Sequence, residues 1–116
     1  MKLDTMKGLR RTHYCGEVPE TEQEVVVCGF ADRVRDMGNL IFINLRDRTG
    51  LVQLAFNDET DRAVFEKAQL VKGEYVLMAK GTVRPRESVN EKLKTGKIEV
   101  AVTDLRILSK AETTPF

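Results

Sequence analysis

The chain is poor in the residue types on which most catalytic and metal sites depend. It has one histidine, two cysteines and no tryptophan among 116 residues. Cys15 and Cys28 are too far apart for a C-x-x-C motif and too few for a disulfide scaffold or a zinc cage, so we expect reduced, largely buried thiols. His13 lacks the accompanying residues that would make it catalytic, and the sequence has no glycine-rich phosphate loop, catalytic triad or metal-ligand cluster. We therefore predict no catalytic residue, cofactor site or metal site.

Long hydrophobic runs are also absent. No segment approaches the roughly eighteen consecutive apolar residues of a membrane span. The N-terminus lacks the apolar centre of a signal peptide, so we expect a cytoplasmic protein with no membrane partner. A length of 116 residues, 41% of them hydrophobic and 32% charged, is typical of one soluble globular domain.

Positive charge is barely in excess. Nineteen Lys and Arg residues against eighteen Asp and Glu residues give a net charge of +1, which argues against a protein that coats nucleic acid by charge alone. Arginines nevertheless gather at residues 33–35, 46–48 and 84–86, whereas acidic residues gather at 17–24 and 58–66. This distribution is compatible with a one-sided basic surface and equally with ordinary solvated strand faces.

Glycine, proline and Asn/Asp clusters divide the chain into five predicted strands. Turns are expected at residues 35–39 and 47–50, and Gly29 and Gly81 indicate a bulge or a bend. The alternation of side chains places Ile41, Ile43 and Leu45 on the core face of the second strand. The predicted strands are residues 24–33, 40–46, 51–57, 74–84 and 97–109.

One helix is predicted, between the third and fourth strands. Asp58 can cap it, and it would run roughly to Val71 with an apolar stripe of Val64, Phe65, Ala68 and Val71. A long polar loop, residues 85–96, separates the last two strands. Five strands with a helix between the third and fourth predict an all-β fold with one helix, a five-stranded OB-fold Greek-key barrel.

Three outward side chains suggest what such a barrel would bind. Phe42 displays an aromatic ring on which a nucleobase can stack. The alternation of side chains is equally compatible with a ring that packs under the N-terminal segment or a neighbouring loop. A turn at residues 47–50 places Asn44 opposite Gln53, with Phe42 diagonal to that amide. Gln53 can pair with the Watson–Crick edge of a base, and the carboxylate of Glu99 matches the two donors of guanine.

Basic and amide side chains near this surface complete the predicted site. Arg35, Arg84 and Arg86 can clamp phosphates or stack on bases, and Asn90 can reach the site from the long loop. Two other classes stay open: a general single-strand-binding barrel, which the near-neutral charge disfavours, and a protein-interaction barrel, for which the grouped polar side chains are poorly suited.

Five segments also carry a resemblance to a known family, in the same order along the chain. They are RTHYCGE (11–17), RDMGNLIFINLRDRTGLVQL (35–54), KGTVRPR (80–86), LKTGKIEV (93–100) and TTPF (113–116). The sequence resembles the N-terminal anticodon-binding domain of bacterial-type aspartyl-tRNA synthetases. The related barrels of asparaginyl and lysyl synthetases share the Arg-Asp turn but lack the RTHYCGE opening.

The resemblance implies roles for individual residues. Phe42 would stack on the middle anticodon base, a uracil, Gln53 would hydrogen-bond to that base, and Glu99 would read a guanine-type first base. Three more residues match family positions near the anticodon: Arg35, Arg86 and Asn90. The loop at residues 87–95 is shorter than in some members of the family.

The resemblance further implies a larger parent enzyme. This enzyme, a homodimer, would charge tRNA-Asp with aspartate, using ATP and magnesium in a class II catalytic domain that follows the barrel and is absent here. We accordingly divide the chain into a lead-in (1–23), the OB-fold anticodon-binding domain (24–109) and the start of a linker (110–116). The chain alone is expected to bind the anticodon loop and not to be an enzyme.

Overall fold

The computed structural model describes residues 3–110. Within this range the chain forms strands β1 (Glu24–Asp36), β2 (Ile41–Asp47), β3 (Gly50–Phe56), β4 (Val76–Pro85) and β5 (Ile98–Ser109), with helix α1 (Arg62–Ala68) between β3 and β4. A single 3-10 turn, Cys15–Glu17, precedes β1. The predicted all-β class and the position of the helix are confirmed. The TTPF segment lies outside the described residues.

The five strands close into a barrel in the order β1-β2-β3-β5-β4, with β4 returning to β1. All pairs are antiparallel except β3 with β5, which is parallel. The core lies inside the barrel and includes the predicted inward residues of three strands, all buried: Ile41, Ile43, Leu45, Val52, Leu54, Phe56, Ile98, Val100 and Val102.

The bulge in β1 does not lie at the glycine that suggested it. Pairing with β2 shifts register between Ala31 and Arg33, whereas Gly29 is regularly paired. A Cβ at Gly29 would lie 2.3 Å from the carbonyl oxygen of Arg46, so close packing against β2 explains the glycine. The irregularity expected at Gly81 is confirmed, because pairing of β4 with β5 shifts there.

The helix is shorter than predicted, and Asp58 is not its cap. Residues 57–60 form a turn of their own, in which Asn57 Oδ1 accepts a hydrogen bond from the backbone N of Glu59 over 2.9 Å. Asp61 is the N-cap instead: its Oδ1 accepts from the backbone N of Ala63 over 3.0 Å. The predicted apolar stripe does pack on the core.

Two turns are tighter than predicted because the strands extend into them. Arg35 and Asp36 belong to β1, so the first turn comprises residues 37–40. Asp47 pairs with Gly50, which reduces the β2–β3 turn to residues 48 and 49.

The N-terminal segment is packed into the end of the barrel. Cys15 and Val18 are buried members of the core. The backbone N of Cys15 donates to Asp47 Oδ2 over 2.7 Å, and that of Gly16 donates to Thr49 Oγ1 over 2.8 Å, so the segment is fastened to the β2–β3 turn. Burial raises the pKa of the Cys15 thiol, which keeps it protonated. Both cysteines are free; Cys15 is buried as predicted, and Cys28 is half-buried.

Candidate nucleic-acid interface

A cleft of about 600 Å³ opens on the outer face of the barrel. Six of the seven predicted RNA-binding residues line it: Arg35, Phe42, Gln53, Arg84, Arg86 and Glu99. Five of them come from the five different strands: Arg35 from β1, Phe42 from β2, Gln53 from β3, Arg84 from β4 and Glu99 from β5. Arg86 follows β4 directly. Residues that are up to 64 positions apart in the sequence (99 minus 35) thus meet at one place.

Strand register explains why they meet. Asn44 pairs with Gln53, as predicted, and Phe42 is the partner of Arg35 on the other side of β2. Gln53 is also the partner of Glu99 across the parallel β3–β5 pair. Because side chains at paired positions share a face of the sheet, these residues form one continuous outward surface.

A chain of hydrogen bonds links the polar residues of the cleft. Arg35 Nη2 donates to Gln53 Oε1 over 3.4 Å, and Gln53 Nε2 donates to Glu99 Oε1 over 2.9 Å. Arg84 Nε donates to the other oxygen of Glu99 over 2.7 Å. Each carboxylate oxygen of Glu99 therefore already accepts one hydrogen bond from the protein.

Gln53 and Glu99 point outward, as the alternation predicts, but they are not solvated. Only 5% of Gln53 and 7% of Glu99 is exposed, because neighbouring side chains of the cleft cover both residues. A buried carboxylate is tolerated when it is paired and hydrogen-bonded, which Arg84 and Gln53 provide here. The cleft thus holds this charge in a fixed position before any ligand arrives.

Phe42 is half-buried and forms the apolar part of the cleft together with Leu40 and Ala55. The guanidinium of Arg35 lies 5.2 Å from the centre of its ring. A base that stacks on Phe42 must therefore lie beside this guanidinium or displace it.

The seventh predicted residue, Asn90, lies in an adjoining pocket of about 150 Å³ and not in the cleft itself. This pocket is almost entirely polar, and its lining is Arg33, Arg35, Asn44, Gln53, Arg86, Asn90 and Leu93. Three arginines and no acid line it, whereas the larger cleft has three arginines and three glutamates, namely Arg35, Arg84, Arg86, Glu59, Glu87 and Glu99. The small pocket is the more positive of the two.

The loop after β4 holds Arg86 and Asn90 in place. The backbone N of Arg86 donates to the Lys97 carbonyl over 2.9 Å, and that of Asn90 donates to the Gly96 carbonyl over 2.9 Å. Asn90 Oδ1 accepts from the backbone N of Lys92 over 3.1 Å, which leaves the amide NH₂ of Asn90 available. Arg86 Nε is buried and has no hydrogen-bond partner within residues 3–110.

Several lining residues were not predicted. Arg33 and Asn44 are partners across β1 and β2, and this pairing on the outward face was the signal that could have identified them. Met37 and Leu40 flank the cleft from the β1–β2 turn, where local sequence gives no such signal.

In the part of the chain that the structure describes, no group of three or more His, Cys, Asp or Glu residues is placed to hold a metal ion. No helix in residues 3–110 is long and apolar enough to span a membrane.

A family model described as the OB-fold nucleic acid binding domain, and named for the tRNA anti-codon, matches residues 25–108. The chain belongs to this OB-fold nucleic acid binding domain family. The match covers β1 almost entirely, all of β2 to β4 and β5 to its penultimate residue, so the cleft lies wholly within the OB-fold domain.

Relatives of this OB-fold domain are found within larger proteins. The chain is 50% identical over 117 aligned residues to an aspartate–tRNA(Asp/Asn) ligase of Thermoanaerobacter pseudethanolicus, covering 97% of this chain and 20% of that protein. It is 48% identical over 110 residues to an aspartate–tRNA ligase of Limosilactobacillus fermentum, covering 93% of this chain and 19% of that protein. The domain thus spans about a fifth of these relatives' length and is homologous to their N-terminal part.

Solved structures similar to the OB-fold domain include another synthetase. Asparaginyl-tRNA synthetase from Pyrococcus horikoshii has a TM-score of 0.71 at 27% identity, covering 89% of this chain and 23% of that one. An OBody, AM3L15, solved bound to hen egg-white lysozyme, has a TM-score of 0.77 at 27% identity, covering 91% and 96% of the two chains.

Proposed function

We propose that this domain binds the anticodon loop of tRNA-Asp as part of an aspartate–tRNA ligase. The observation that carries the proposal is the convergence of one predicted residue from each of the five strands on a single cleft. The family match and the ligase relatives support the same assignment. Each part of the cleft has the chemistry that one part of an RNA loop requires.

The apolar part of the cleft suits a base. Phe42 is half-buried, with its guanidinium neighbour Arg35 at one side. Single-stranded RNA is commonly held by stacking unpaired bases on aromatic rings or guanidinium planes, and both are present here. The base that stacks on Phe42 would be the middle base of the anticodon.

The polar part of the cleft retains hydrogen-bonding capacity for reading base edges. Gln53 has used one of its two N–H groups on Glu99, so one donor and one oxygen lone pair remain. This pair matches a uracil edge, which offers both acceptors and a donor. Each oxygen of Glu99 accepts one hydrogen bond from the protein, so each has a second lone pair for the two donors of a guanine edge.

The small polar pocket suits a phosphate. Arg33, Arg35 and Arg86 line it without an acid, and guanidinium groups bind phosphate with paired N–H donors. The unpartnered Nε of Arg86 supports this role, because a buried donor without an acceptor costs free energy that a phosphate oxygen would recover. The NH₂ of Asn90 offers a further donor to the same phosphate.

The proposal extends to the parent protein. The ligase would act in the cytoplasm as a homodimer and would charge tRNA-Asp with aspartate, with ATP and magnesium bound outside these 116 residues. The domain by itself would bind RNA and catalyse nothing. The lengths of the relatives support this division, since the chain matches only about 20% of each ligase.

A protein-interaction role is the second candidate, because the similar OBody was solved bound to a protein. Its support is weaker at this cleft. A protein-binding surface usually centres on an apolar anchor patch, whereas here a buried carboxylate and an amide occupy the middle of the cleft.

Titration of the domain with aspartate, asparagine and lysine anticodon stem-loops at one fixed salt concentration tests the proposal. We expect the aspartate stem-loop to bind most tightly, and Phe42→Ala to weaken binding to all three. Equal affinity for all three would favour a general single-strand binder. No measurable binding to any of them would overturn the proposed function.

A further inference from the structure

Two further arginines, Arg11 and Arg48, lie against the ring of Tyr14, away from the cleft. The guanidinium of Arg11 lies 4.2 Å from the centre of the Tyr14 ring, and that of Arg48 lies 5.0 Å from it. Arg48 Nη2 also donates a hydrogen bond to Tyr14 Oη over 3.1 Å. One aromatic ring thus holds two guanidinium groups. We call these three residues the Tyr14 clamp.

The Tyr14 clamp lies on the outer side of the barrel, beside β1. The backbone N of Thr12 donates to the Val26 carbonyl over 2.9 Å, and the backbone N of Val26 donates to Thr12 Oγ1 over 2.8 Å. Val25 and Val27, the neighbours of Val26, point into the core and are fully buried. Val26 therefore points outward, and the segment that carries Arg11 and Tyr14 runs across this outer face.

The same outer face leads from the clamp to the cleft. The outward residues of β2 are Phe42, Asn44 and Arg46, and Arg48 follows in the turn. The chain advances six residues from Phe42 to Arg48 (48 minus 42). At about 3.3 Å per residue this places the clamp roughly 20 Å from the base-stacking ring.

The clamp retains its positive charge. Arg11 and Arg48 are exposed, and neither makes an ion pair within residues 3–110. Arg46, which lies between the clamp and the cleft, forms ion pairs with Asp32 at 3.0 Å and with Glu74 at 3.1 Å, so its charge is balanced within the protein.

The nearest acid along the chain makes no ion pair with the clamp. Asp47 precedes Arg48, but its two oxygens accept hydrogen bonds from the backbone N atoms of Thr49 and Cys15. Within residues 3–110 the one hydrogen bond from these two guanidinium groups is that of Arg48 to Tyr14, so most of their N–H donors are available to a ligand.

We propose that the Tyr14 clamp binds the phosphate backbone of the RNA stem that leads away from the cleft. This inference rests on the proposed function, because it assumes that the cleft holds the loop of the same RNA. A guanidinium that is already stacked on a ring loses little conformational entropy when it meets a phosphate. Two such groups on one ring form a fixed, doubly charged site for consecutive phosphates.

The test compares two RNAs with one double variant of the 116-residue chain. The RNAs are an aspartate anticodon stem-loop and a linear oligonucleotide with the loop sequence alone. We expect Arg11→Gln/Arg48→Gln to weaken stem-loop binding about tenfold at low salt and to make the salt dependence shallower by between about one and two in log–log slope. Binding of the linear oligonucleotide should stay within about twofold of the wild type, because it lacks the stem phosphates.

Three single variants refine the test. Tyr14→Phe keeps the ring and should bind the stem-loop almost as the wild type does. Tyr14→Leu removes the ring and should resemble the double variant. Arg62→Gln is the matched control, because Arg62 is an exposed arginine on α1 that pairs with Glu66 and is not part of the clamp. Thermal melts of every variant show whether the fold is retained.

The outcomes separate the two proposals. A wild-type chain that does not bind the stem-loop contradicts the proposed function itself. If the wild type binds and the double variant binds equally with the same salt slope, only the clamp proposal fails. Equal weakening for both RNAs also overturns it, since the arginines would then act through the fold or the cleft. Poly-glutamate serves as a second probe, which imitates an acidic protein. If the double variant loses binding to poly-glutamate but binds the stem-loop as the wild type does, the clamp proposal fails and the clamp is assigned to an acidic protein partner.

Discussion

Gln53 donates a hydrogen bond to Glu99 over 2.9 Å, although the two residues are expected to read different bases. The parallel pairing of β3 with β5 makes them direct partners, and both are almost fully buried. Neither side chain can therefore reorient without affecting the other. Recognition of the first and the middle anticodon base should be energetically coupled through this bond.

The coupling predicts how two substitutions change selectivity. The wild type should lose affinity when the first anticodon guanine is replaced by adenine, because adenine lacks the adjacent N1–H and N2–H donors of guanine and has an acceptor at N1 instead. Glu99→Ala should be nearly indifferent to that replacement. Gln53→Ala should reduce the discrimination in part, since it releases one oxygen of Glu99. Binding isotherms for both RNAs measure these ratios, and we expect coupling of about 1 kcal/mol between the two residues.

Independent sites would give a different result. If Gln53→Ala left the guanine-to-adenine ratio unchanged, the hydrogen bond would not transmit recognition. If Glu99→Ala also retained the ratio, Glu99 would not read the first base at all. Glu99→Gln is a useful intermediate, because it keeps one acceptor oxygen with little change of volume.

Substitution of Phe42 should separate binding from folding. Phe42→Ala should weaken binding of the anticodon loop by about 1–3 kcal/mol while the barrel remains folded, because we propose that the ring stacks on a base. Ile43→Ala, one residue along the same strand, is the matched control, since Ile43 is fully buried in the core. It should lower the free energy of unfolding by about 2–5 kcal/mol. An unfolded Phe42→Ala variant would show that the ring is needed for the core.

Local sequence patterns predicted half of this site well. Alternation in β2 and the position of the β2–β3 turn together fix the register, so Phe42, Asn44 and Gln53 were placed correctly relative to one another. The turn itself is two residues shorter than predicted, but the pairs Asn44 with Gln53 and Asp47 with Gly50 belong to the same register. An error in turn length that preserves the register leaves the side-chain faces unchanged.

The contacts that form when the barrel closes could not be predicted from local sequence patterns. The bonds from Glu99 to Gln53 and to Arg84 join residues 46 and 15 positions apart. Periodicity gives the face on which a side chain lies but not the strand that will lie beside it. The same limit explains the helix start: Asp58 and Asp61 are both good caps by type, and only the hydrogen bonds of the turn at residues 57–60 decide between them.

Arg86 should act mainly on phosphate. Arg86→Ala should weaken binding to many RNA loops alike and make the salt dependence shallower by about one phosphate contact. Lys at this position keeps the charge but lacks the planar fork, so Arg86→Lys should recover only part of the affinity. Titrations of aspartate and asparagine stem-loops at several salt concentrations measure both effects. Loss confined to one anticodon would assign Arg86 to base reading instead.

Asp47 should make the fold sensitive to acid. Burial alone would raise its pKa, but hydrogen bonds from Thr49 and Cys15 outweigh that effect, and the pKa of Asp47 is lowered in the fold. A lowered folded-state pKa gives stability that is fully present above the unfolded value of about 3.9 and is lost as the pH falls through the folded value. Asp47→Asn should therefore be less stable than the wild type at neutral pH, by about 1–3 kcal/mol.

The difference should shrink below pH 4, because the unfolded wild-type chain then takes up a proton at Asp47 while the folded chain, with its lowered pKa, does so only at lower pH. Urea melts at pH 7 and pH 3 give both values. Asp58→Asn, in the exposed turn before α1, is the control and should change the stability little at neutral pH. A difference for Asp47→Asn that is equal at both pH values would mean that the charge of Asp47 contributes nothing.

The N-terminal segment, which carries part of the Tyr14 clamp, should tolerate no added side-chain volume at Gly16. A Cβ on Gly16 would lie 2.2 Å from the carbonyl oxygen of Thr49, a backbone atom that cannot move without distorting the β2–β3 turn. Gly16→Ala should therefore lower the free energy of unfolding by about 1–3 kcal/mol, as overpacking does. Gly73→Ala is the matched control, because nothing lies within 4 Å of a Cβ there and its φ is not positive. It should leave stability unchanged or raise it by up to about 1 kcal/mol.

Stem-loop binding of the same two variants links this packing to function. If Gly16→Ala dislodges the segment, Tyr14 and Arg11 move away from Arg48, so stem-loop binding should weaken while binding of the linear loop oligonucleotide is retained. Gly73→Ala should bind both RNAs as the wild type does. A Gly16→Ala variant as stable as the wild type would show that the segment can shift at no cost to the barrel. Its docking on the β2–β3 turn would then be too weak to fix the position of the clamp.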